Sequence, residues 1–189
     1  QRICHVGDMQ EQLDQMCRIV TRHVGVDGRV DIIPRVTVLS TSSVTYPTSG
    51  VYQPMLCLVL QGAKQVLIGD QIVRYDPASY FIASMELPVS GQVIEASTQR
   101  PYICLGLALD SATISALLTD MPSRPEGKTA GFAVSPVTPQ LLDPWMRMLA
   151  LLDRPDDASI LAPMLEREIL YRLPEWCIYL ETPGVMMPS

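Results

Sequence analysis

The hydrophobic period of the chain changes twice. Near the N-terminus Leu13, Met16, Cys17, Val20 and Val24 recur at helical spacing, which predicts one amphipathic helix over 9–24. Asp8 followed by Glu11 has the form of a capping box, each side chain able to satisfy a backbone N–H at the helix start. Gly25 then stands where a glycine in the left-handed conformation would end the helix.

From Ile32 to Leu109 short apolar or β-branched runs alternate with turn signals: VTVLST, MLCLVLQG, AKQVLIGDQIVRYDP, SYFIAS, VSGQVIEAS and YICLGLALD. Gly69–Asp70 reads as a tight hairpin turn, Gln61–Gly62 as another turn, and Asp76–Pro77 as a break. Strands this short and this closely spaced predict an antiparallel sandwich or barrel rather than a parallel sheet. Met55 to Leu60 is apolar at every position, so that strand should be covered on both faces, by the barrel interior and by packed helices. In YICLGLAL, Tyr102, Cys104, Gly106 and Ala108 share one face, and Ile103, Leu105, Leu107 and Leu109 the other. The small-residue face leaves space for a ligand or for a packed helix, and the helix is the favoured reading.

After Asp110 the helical period returns. Asp110 or Ser111 can cap a short helix reaching Met121, and the loop PSRPEGKTAG follows. Thr138–Pro139 pairs a cap with a first-turn proline, opening a helix with Leu141, Leu142, Trp145, Met148, Leu149 and Leu152 inward. DRPDD is expected to separate it from a last helix, Ser159 to Leu173, where Pro163 should sit near the first turn or kink the helix. These two striped helices read either as a dimerisation hairpin or as a layer on the barrel's own flank.

Composition narrows the class. In 189 residues, 48% are hydrophobic and 18% charged, enough apolar surface to build a core against the entropy of ordering the chain. No apolar run approaches the roughly 20 residues of a membrane span, and the opening QRICHVGDMQEQ lacks the apolar centre of a signal peptide. The net charge of −6 disfavours nucleic-acid binding by the chain itself. Cys4, Cys17, Cys57, Cys104 and Cys177 form an odd set without C-x-x-C spacing, which predicts reduced thiols in the cytoplasm.

Catalytic chemistry finds little support. The only histidines, His5 and His23, lie in the N-terminal segment, so the strands offer no imidazole to a metal, and no metal or cofactor is expected. No G-x-S-x-G is present and no barrel histidine can activate Ser84, Ser90, Cys57 or Cys104. Glu86 and Glu95 could pair only if the fold joins them, and phosphate-binding glycine loops are absent. Polar and aromatic handles in an apolar frame remain. Tyr46, Tyr52, Tyr80, Tyr102, Cys57 and Met85 are the candidate effector-binding residues, with Tyr75 a further ring-plus-hydroxyl in the same stretch.

Several of these segments together resemble a known family. Tyr52 to Ser97 is similar to the N-terminal domain of AraC-type transcriptional regulators whose strand reads P-x-x-C-x-V-x-Q-G-x-K, carried by Pro54, Cys57, Val59, Gln61, Gly62 and Lys64. Tyr75-Asp76 with Tyr80, Leu87-Pro88-Val89 with Gly91, RPYICLGLALD and LLDRPDDASILAPMLEREILYRL extend the similarity over about residue 9 to Leu173. The resemblance implies an α+β fold: a cupin-like antiparallel β-barrel of the double-stranded β-helix type, with an N-terminal helix and C-terminal helices. The expected organisation is an extension (1–8), helix and sensing barrel (9–110), helical dimerisation segment (111–173) and an unassigned tail (174–189).

Complete members continue into two DNA-binding helix-turn-helix units. This sequence instead turns to PEWCIYLETPGVMMPS, which predicts a truncated product, a frameshifted fragment or a free-standing sensor, the first two favoured, without its own DNA contact. The expected function is small-molecule sensing and dimerisation, with no enzymatic activity. The expected partners are an unidentified small-molecule effector and a second subunit, in a homodimer or a mixed dimer with a full-length regulator. Leu161, Leu165, Ile169 and Leu173 are the expected dimer interface. Two alternatives stand beside this: a metal-independent cupin-type enzyme, for which the strands offer no acid–base pair, and a purely structural association module whose barrel is filled by side chains.

Overall fold

The structure, a computed structural model, describes residues 4–25, 27–121 and 131–174. Helix α1 (Cys4–Val24) leads into strands β1 (Gly28–Ile33), β2 (Val36–Thr41), β3 (Thr48–Tyr52), β4 (Met55–Gln61), β5 (Ala63–Ile68), β6 (Gln71–Tyr75), β7 (Ser79–Ala83), β8 (Leu87–Glu95) and β9 (Tyr102–Ala108). Helix α2 (Ser111–Asp120), strand β10 (Phe132–Pro136) and helices α3 (Pro139–Ala150) and α4 (Pro155–Arg172) complete the described chain. The strands form two sheets, a six-stranded one in the order β1-β2-β9-β4-β7-β10 and a four-stranded one in the order β3-β8-β5-β6. Every pairing is antiparallel.

The centre of the six-stranded sheet is buried on both faces, as the unbroken apolar run in β4 requires. Leu56, Leu58 and Leu60 point one way, with Ile103, Leu105 and Leu107 of β9, into a core shared with the helices. Cys57 and Val59 point the other way, with Tyr102 and Cys104, toward Val66, Ile68, Val89 and Val93 of the four-stranded sheet. The helical layer supplies Leu13, Met16 and Val20 from α1 and Leu141, Leu142, Trp145, Met148 and Leu149 from α3. Each such side chain is worth about 1.5–3 kcal/mol when fully buried, so this layer anchors the sheet and leaves the inter-sheet space freer to hold something else.

Local signals account for the turns. Gly69–Asp70 closes the β5–β6 hairpin, where Ile68 opposes Gln71. Gly62, at φ 81°, joins β4 to β5 where an added Cβ would run into the Glu95 carbonyl and crowd the Tyr102 backbone. Asp110 caps α2 by accepting from Thr113 N at 2.9 Å, and Thr138 caps α3 by accepting from Leu141 N at 3.2 Å.

Four expectations change. Helix α1 begins at Cys4, so Asp8 and Glu11 lie inside it and form no capping box; the residues ahead of Met9 carry no core position that periodicity could detect. Helix α4 begins at Pro155 rather than Ser159 and runs through Pro163. Pro155 is preset for a first helical turn, and Asp156 and Asp157 complement the positive end of the helix dipole, so DRPDD starts the helix instead of separating it. Strands β1, β3 and β10 are not distinguished by pattern: β1 and β3 are largely exposed, so burial imposes no alternation of apolar and polar positions on them. Finally, the small-residue face of β9 does not receive a helix; Tyr102, Cys104 and Gly106 face the inter-sheet cavity, while Ile103, Leu105 and Leu107 meet the helices. The loop 122–130 and the tail 175–189 lie outside the described residues, as do the side chains of Cys4 and His5 and Cys177.

One ion pair ties the sheet to the last helix. The tight β1–β2 turn holds Arg35 at φ 67°, and its guanidinium donates from Nε (3.1 Å) and Nη2 (2.6 Å) to Oε2 of Glu166 on α4. Glu166 is 3% exposed and its Oε1 has no hydrogen-bond partner. Burial pushes its carboxyl above the usual range, against the opposing pull of Arg35.

Candidate functional site

A cavity of about 210 Å³ opens between the sheets. Its floor is the inward face of the six-stranded sheet: Thr37 and Leu39 from β2, Met55 and Cys57 from β4, and Tyr102, Cys104 and Gly106 from β9. The facing wall is Lys64 of β5, Tyr75 of β6 and Val51 and Tyr52 of β3. Exposed Arg29 and Val51 mark its mouth. Strand alternation explains the membership. Lys64, Val66 and Ile68 share the inward face of β5, so the cationic side chain continues an apolar stripe.

An aromatic group braces this wall. Phe81 stacks on Tyr75, with centroids 5.2 Å apart and planes at 21°, and meets Tyr52 edge-on at 5.9 Å and 72°. The Tyr52 and Tyr75 hydroxyls approach within 3.4 Å. Lys64 Nζ lies 5.2 Å from the centre of the Tyr52 ring, an arrangement in which the ring face attracts the cation. Among the described residues no carboxylate lies within ion-pair distance of Lys64 or Arg29. Burial opposes the Lys64 ammonium, but Tyr52, Cys104 and Cys57 outweigh it, and the lysine pKa is raised. Lys64 is therefore a fixed positive charge inside a mostly apolar cavity.

Four buried groups have altered proton affinity. Burial pushes the Tyr75 and Tyr102 phenols well up. Interaction with Cys104, then burial, pushes the Cys57 thiol up. The Cys104 thiol moves down, because its neighbours Cys57 and Tyr102 and the charge of Lys64 outweigh its burial. Tyr102 is fully buried, and its hydroxyl satisfies no full hydrogen bond among the described residues.

The sequence-derived candidates divide. Tyr52, Cys57 and Tyr102 line the cavity. Tyr80 is buried on the opposite face of β7, in the core shared with the helices, because its strand alternates Phe81 inward. Tyr46 is 89% exposed in the β2–β3 connection, and Met85 is 42% exposed between β7 and β8, so neither reaches the cavity. Lys64, Arg29, Met55 and Cys104 were not among the candidates. The signal for Lys64 was available as a charge on the apolar face of a period-two strand, whereas Arg29 sits on a strand that pattern did not identify. His23, far from the cavity, pairs through Nε2 with Asp153 at 2.8 Å. Among the described residues no three His, Cys, Asp or Glu side chains cluster as a metal site would require, and no helix is long and apolar enough to cross a membrane.

The expected interface residues divide as well. Leu165, Ile169 and Leu173 are buried in the chain's own core, so they face the sheet and its helices rather than a partner. Leu161 is partly exposed, and Ile160, Met164 and Tyr171 stand out beside it. With Ala150 and Leu151 of the preceding helix and turn, Leu161 and Met164 line a shallow groove of about 610 Å³ flanked by Arg147, Arg154 and Asp157.

Comparison with known proteins places this arrangement. The model of the AraC-type transcriptional regulator N-terminus matches residues 32–174. Among solved structures, ToxT from Vibrio cholerae, as the apo form of a lysine-to-alanine variant, superposes with a TM-score of 0.54 at 6% identity, over 78% of this chain and 59% of that one. Wild-type ToxT from Vibrio cholerae bound to an unsaturated fatty acid gives 0.50 at 5% identity, over 76% of this chain and 55% of that one. At such identities the likeness is one of fold: antiparallel sheets with helices before and after. The chain therefore matches less than two thirds of the length of these neighbours. No curated protein sequence matches it.

Proposed function

We propose that this chain, which belongs to the family of AraC-type transcriptional regulator N-terminal domains, senses a small amphipathic anion in its inter-sheet cavity and dimerises through the outer face of α4. The observation that carries the ligand reading is Lys64: an ammonium without a carboxylate partner, directed into a cavity walled by Leu39, Val51 and Met55. A carboxylate would satisfy the charge, the Tyr102 hydroxyl could donate to it, and an apolar tail would take the remaining walls. Arg29 at the mouth adds attraction for an approaching anion. A fatty acid in the ToxT neighbour supports the same class of ligand here.

Sensing then requires that the ligand bind two arrangements of the domain unequally. The six-stranded sheet is the natural relay, since one face forms the cavity floor and the other carries the helices. Dimerisation is supported by the exposed stripe of Ile160, Leu161, Met164 and Tyr171 on α4, whose opposite side is held by the domain's own core. The acidic balance of the chain, −6 overall, suits a domain that reads a ligand rather than a phosphate backbone.

The test is thermal unfolding with octanoate and cis-9-hexadecenoate, using octanol as the uncharged control. The carboxylates should raise Tm and octanol should not, and Lys64→Met should weaken carboxylate binding at least tenfold by calorimetry. No shift with any carboxylate, or an equal shift with octanol, overturns the reading.

A further inference from the structure

The same cavity contains a second feature that anion binding does not use. Cys57 and Cys104 enter it from neighbouring strands, where Cys57 opposes Gly106 and Cys104 opposes Val59. They are thus diagonal neighbours across β4 and β9. Diagonal Cα atoms stand about 7–8 Å apart, beyond the roughly 4.4–6.8 Å that a disulfide spans, so the register keeps two thiols side by side, and both are free. Beside them stand the Tyr102 hydroxyl, buried without a full hydrogen bond, and the Lys64 ammonium across the cavity.

We propose that Cys104 is a nucleophilic thiol that captures a soft carbon electrophile of the conjugated-carbonyl class inside the cavity, with Cys57 and Lys64 as its positioning groups. The thiolate, not the thiol, is the reactive form, and a nearby cation and hydrogen-bond donors favour it. Cys57 and Tyr102 stand beside Cys104 and Lys64 faces the same cavity, and these surroundings bring that thiol down despite its burial. Tyr102 lies two residues from Cys104 on the same cavity-facing side of β9, which distinguishes the attacking sulfur from the supporting one. Lys64 holds its proton and so acts as a cation, not as an amine that would form an imine.

The step balances without any oxidant. The Cys104 sulfur forms a bond to the β-carbon of the conjugated carbonyl as the carbon–carbon π pair moves to give an enolate, whose oxygen carries the charge toward Lys64 and Tyr102. The enolate α-carbon then takes a proton, replacing the one that left the thiol, and the net change is addition of S–H across the double bond. A covalent adduct on the sheet floor would hold the domain in its liganded arrangement until reversed.

The inference rests on the cavity reading above but not on its anion. The experiment is site-resolved peptide mass spectrometry of the full chain after brief exposure to limiting N-ethylmaleimide at pH 7. Cys104 should be modified at least tenfold faster than Cys57 and than Cys17, whose thiol is pushed up to about 11 by burial and by Asp14. Lys64→Met and Cys57→Ser should each slow Cys104 several-fold, and Lys64→Arg should restore most of the rate. Modification of Cys57 first, or a Cys104 that reacts only after unfolding, overturns the proposal. If Cys104 is inert while octanoate still raises Tm, only this inference fails; if Cys104 reacts while no carboxylate binds, only the anion reading fails.

Discussion

Replacing Arg35 with alanine should destabilise the domain by an amount that depends on pH in an unusual direction. The replacement leaves the Glu166 carboxylate, 3% exposed, without the guanidinium that pairs with it. Breaking a buried pair in this way costs about 3–5 kcal/mol. Because the Arg35 side chain is 39% exposed, solvent already screens part of the pair, and about 3 kcal/mol is the expected loss near neutral pH. For a chain of this length that corresponds to roughly 6–12 °C in Tm. The sign follows from burial. The Glu166 pKa is raised in the folded protein and rises further without Arg35. Such a group is tolerated while protonated, at low pH, and costs stability as pH climbs through its folded pKa. The deficit of Arg35→Ala should therefore be small near pH 4 and complete near pH 8. Adding Glu166→Gln should recover most of it, since a neutral amide needs no counter-charge. Arg35→Gly should lie about 1 kcal/mol above Arg35→Ala, because the site sits at φ 67°, where an L side chain is strained. Urea denaturation at the two pH values measures all four proteins. A deficit equal at both pH values, or a double variant no more stable than Arg35→Ala, would refute the argument.

Three further outcomes follow from the same geometry. A Cβ at Gly106 meets only the Thr37 carbonyl at 3.9 Å, so Gly106→Ala should fold and bind normally, whereas Gly106→Leu should fold yet fill the cavity; calorimetry with octanoate should show binding lost only in the leucine variant. Gly62→Ala should cost about 3 kcal/mol, since a Cβ there presses on the Glu95 carbonyl and approaches Tyr102 Cα to 3.0 Å; an unchanged Tm would contradict this. Ile160→Glu combined with Met164→Glu alters the exposed side of α4 alone, and sedimentation velocity should find a folded monomer where the parent dimerises. The equivalent change at Leu165 and Ile169 should instead unfold the domain, because both are core residues.

How much of this was legible along the chain depended on whether a signal was local. Helix periods, the Asp110 and Thr138 caps, the Gly69–Asp70 turn and the doubly buried β4 are properties of neighbouring residues, and the structure carries each of them. The cavity is different in kind. Tyr80 and Tyr102 were equivalent in sequence as aromatic residues near the end of an apolar strand, yet one faces the helices and the other the cavity. In both strands alternation is obvious, but which parity points inward is settled by the sheet packed opposite. Tyr46 and Met85 failed for another reason: their positions in connections leave them outside any face.

The same division holds at α4. Its apolar positions, Leu161, Leu165, Ile169 and Leu173, were correctly recognised as apolar, but amphipathic spacing identifies a face without naming what covers it. Three of the four pack into the chain's own core, and the residues left for a partner are Ile160, Leu161, Met164 and Tyr171. What the sequence by itself determined was the helices, the strands with a clear apolar pattern, their order and the family pattern from Pro54 to Lys64, because propensity, capping and period act within a few residues. The tertiary structure alone decided that Lys64, Tyr102, Cys57 and Cys104 meet in one cavity, and that Arg35 reaches Glu166 131 residues away. Those encounters depend on strand register and on the packing of one layer against another, and free energy of that kind is shared between segments that carry no trace of each other in their own sequence.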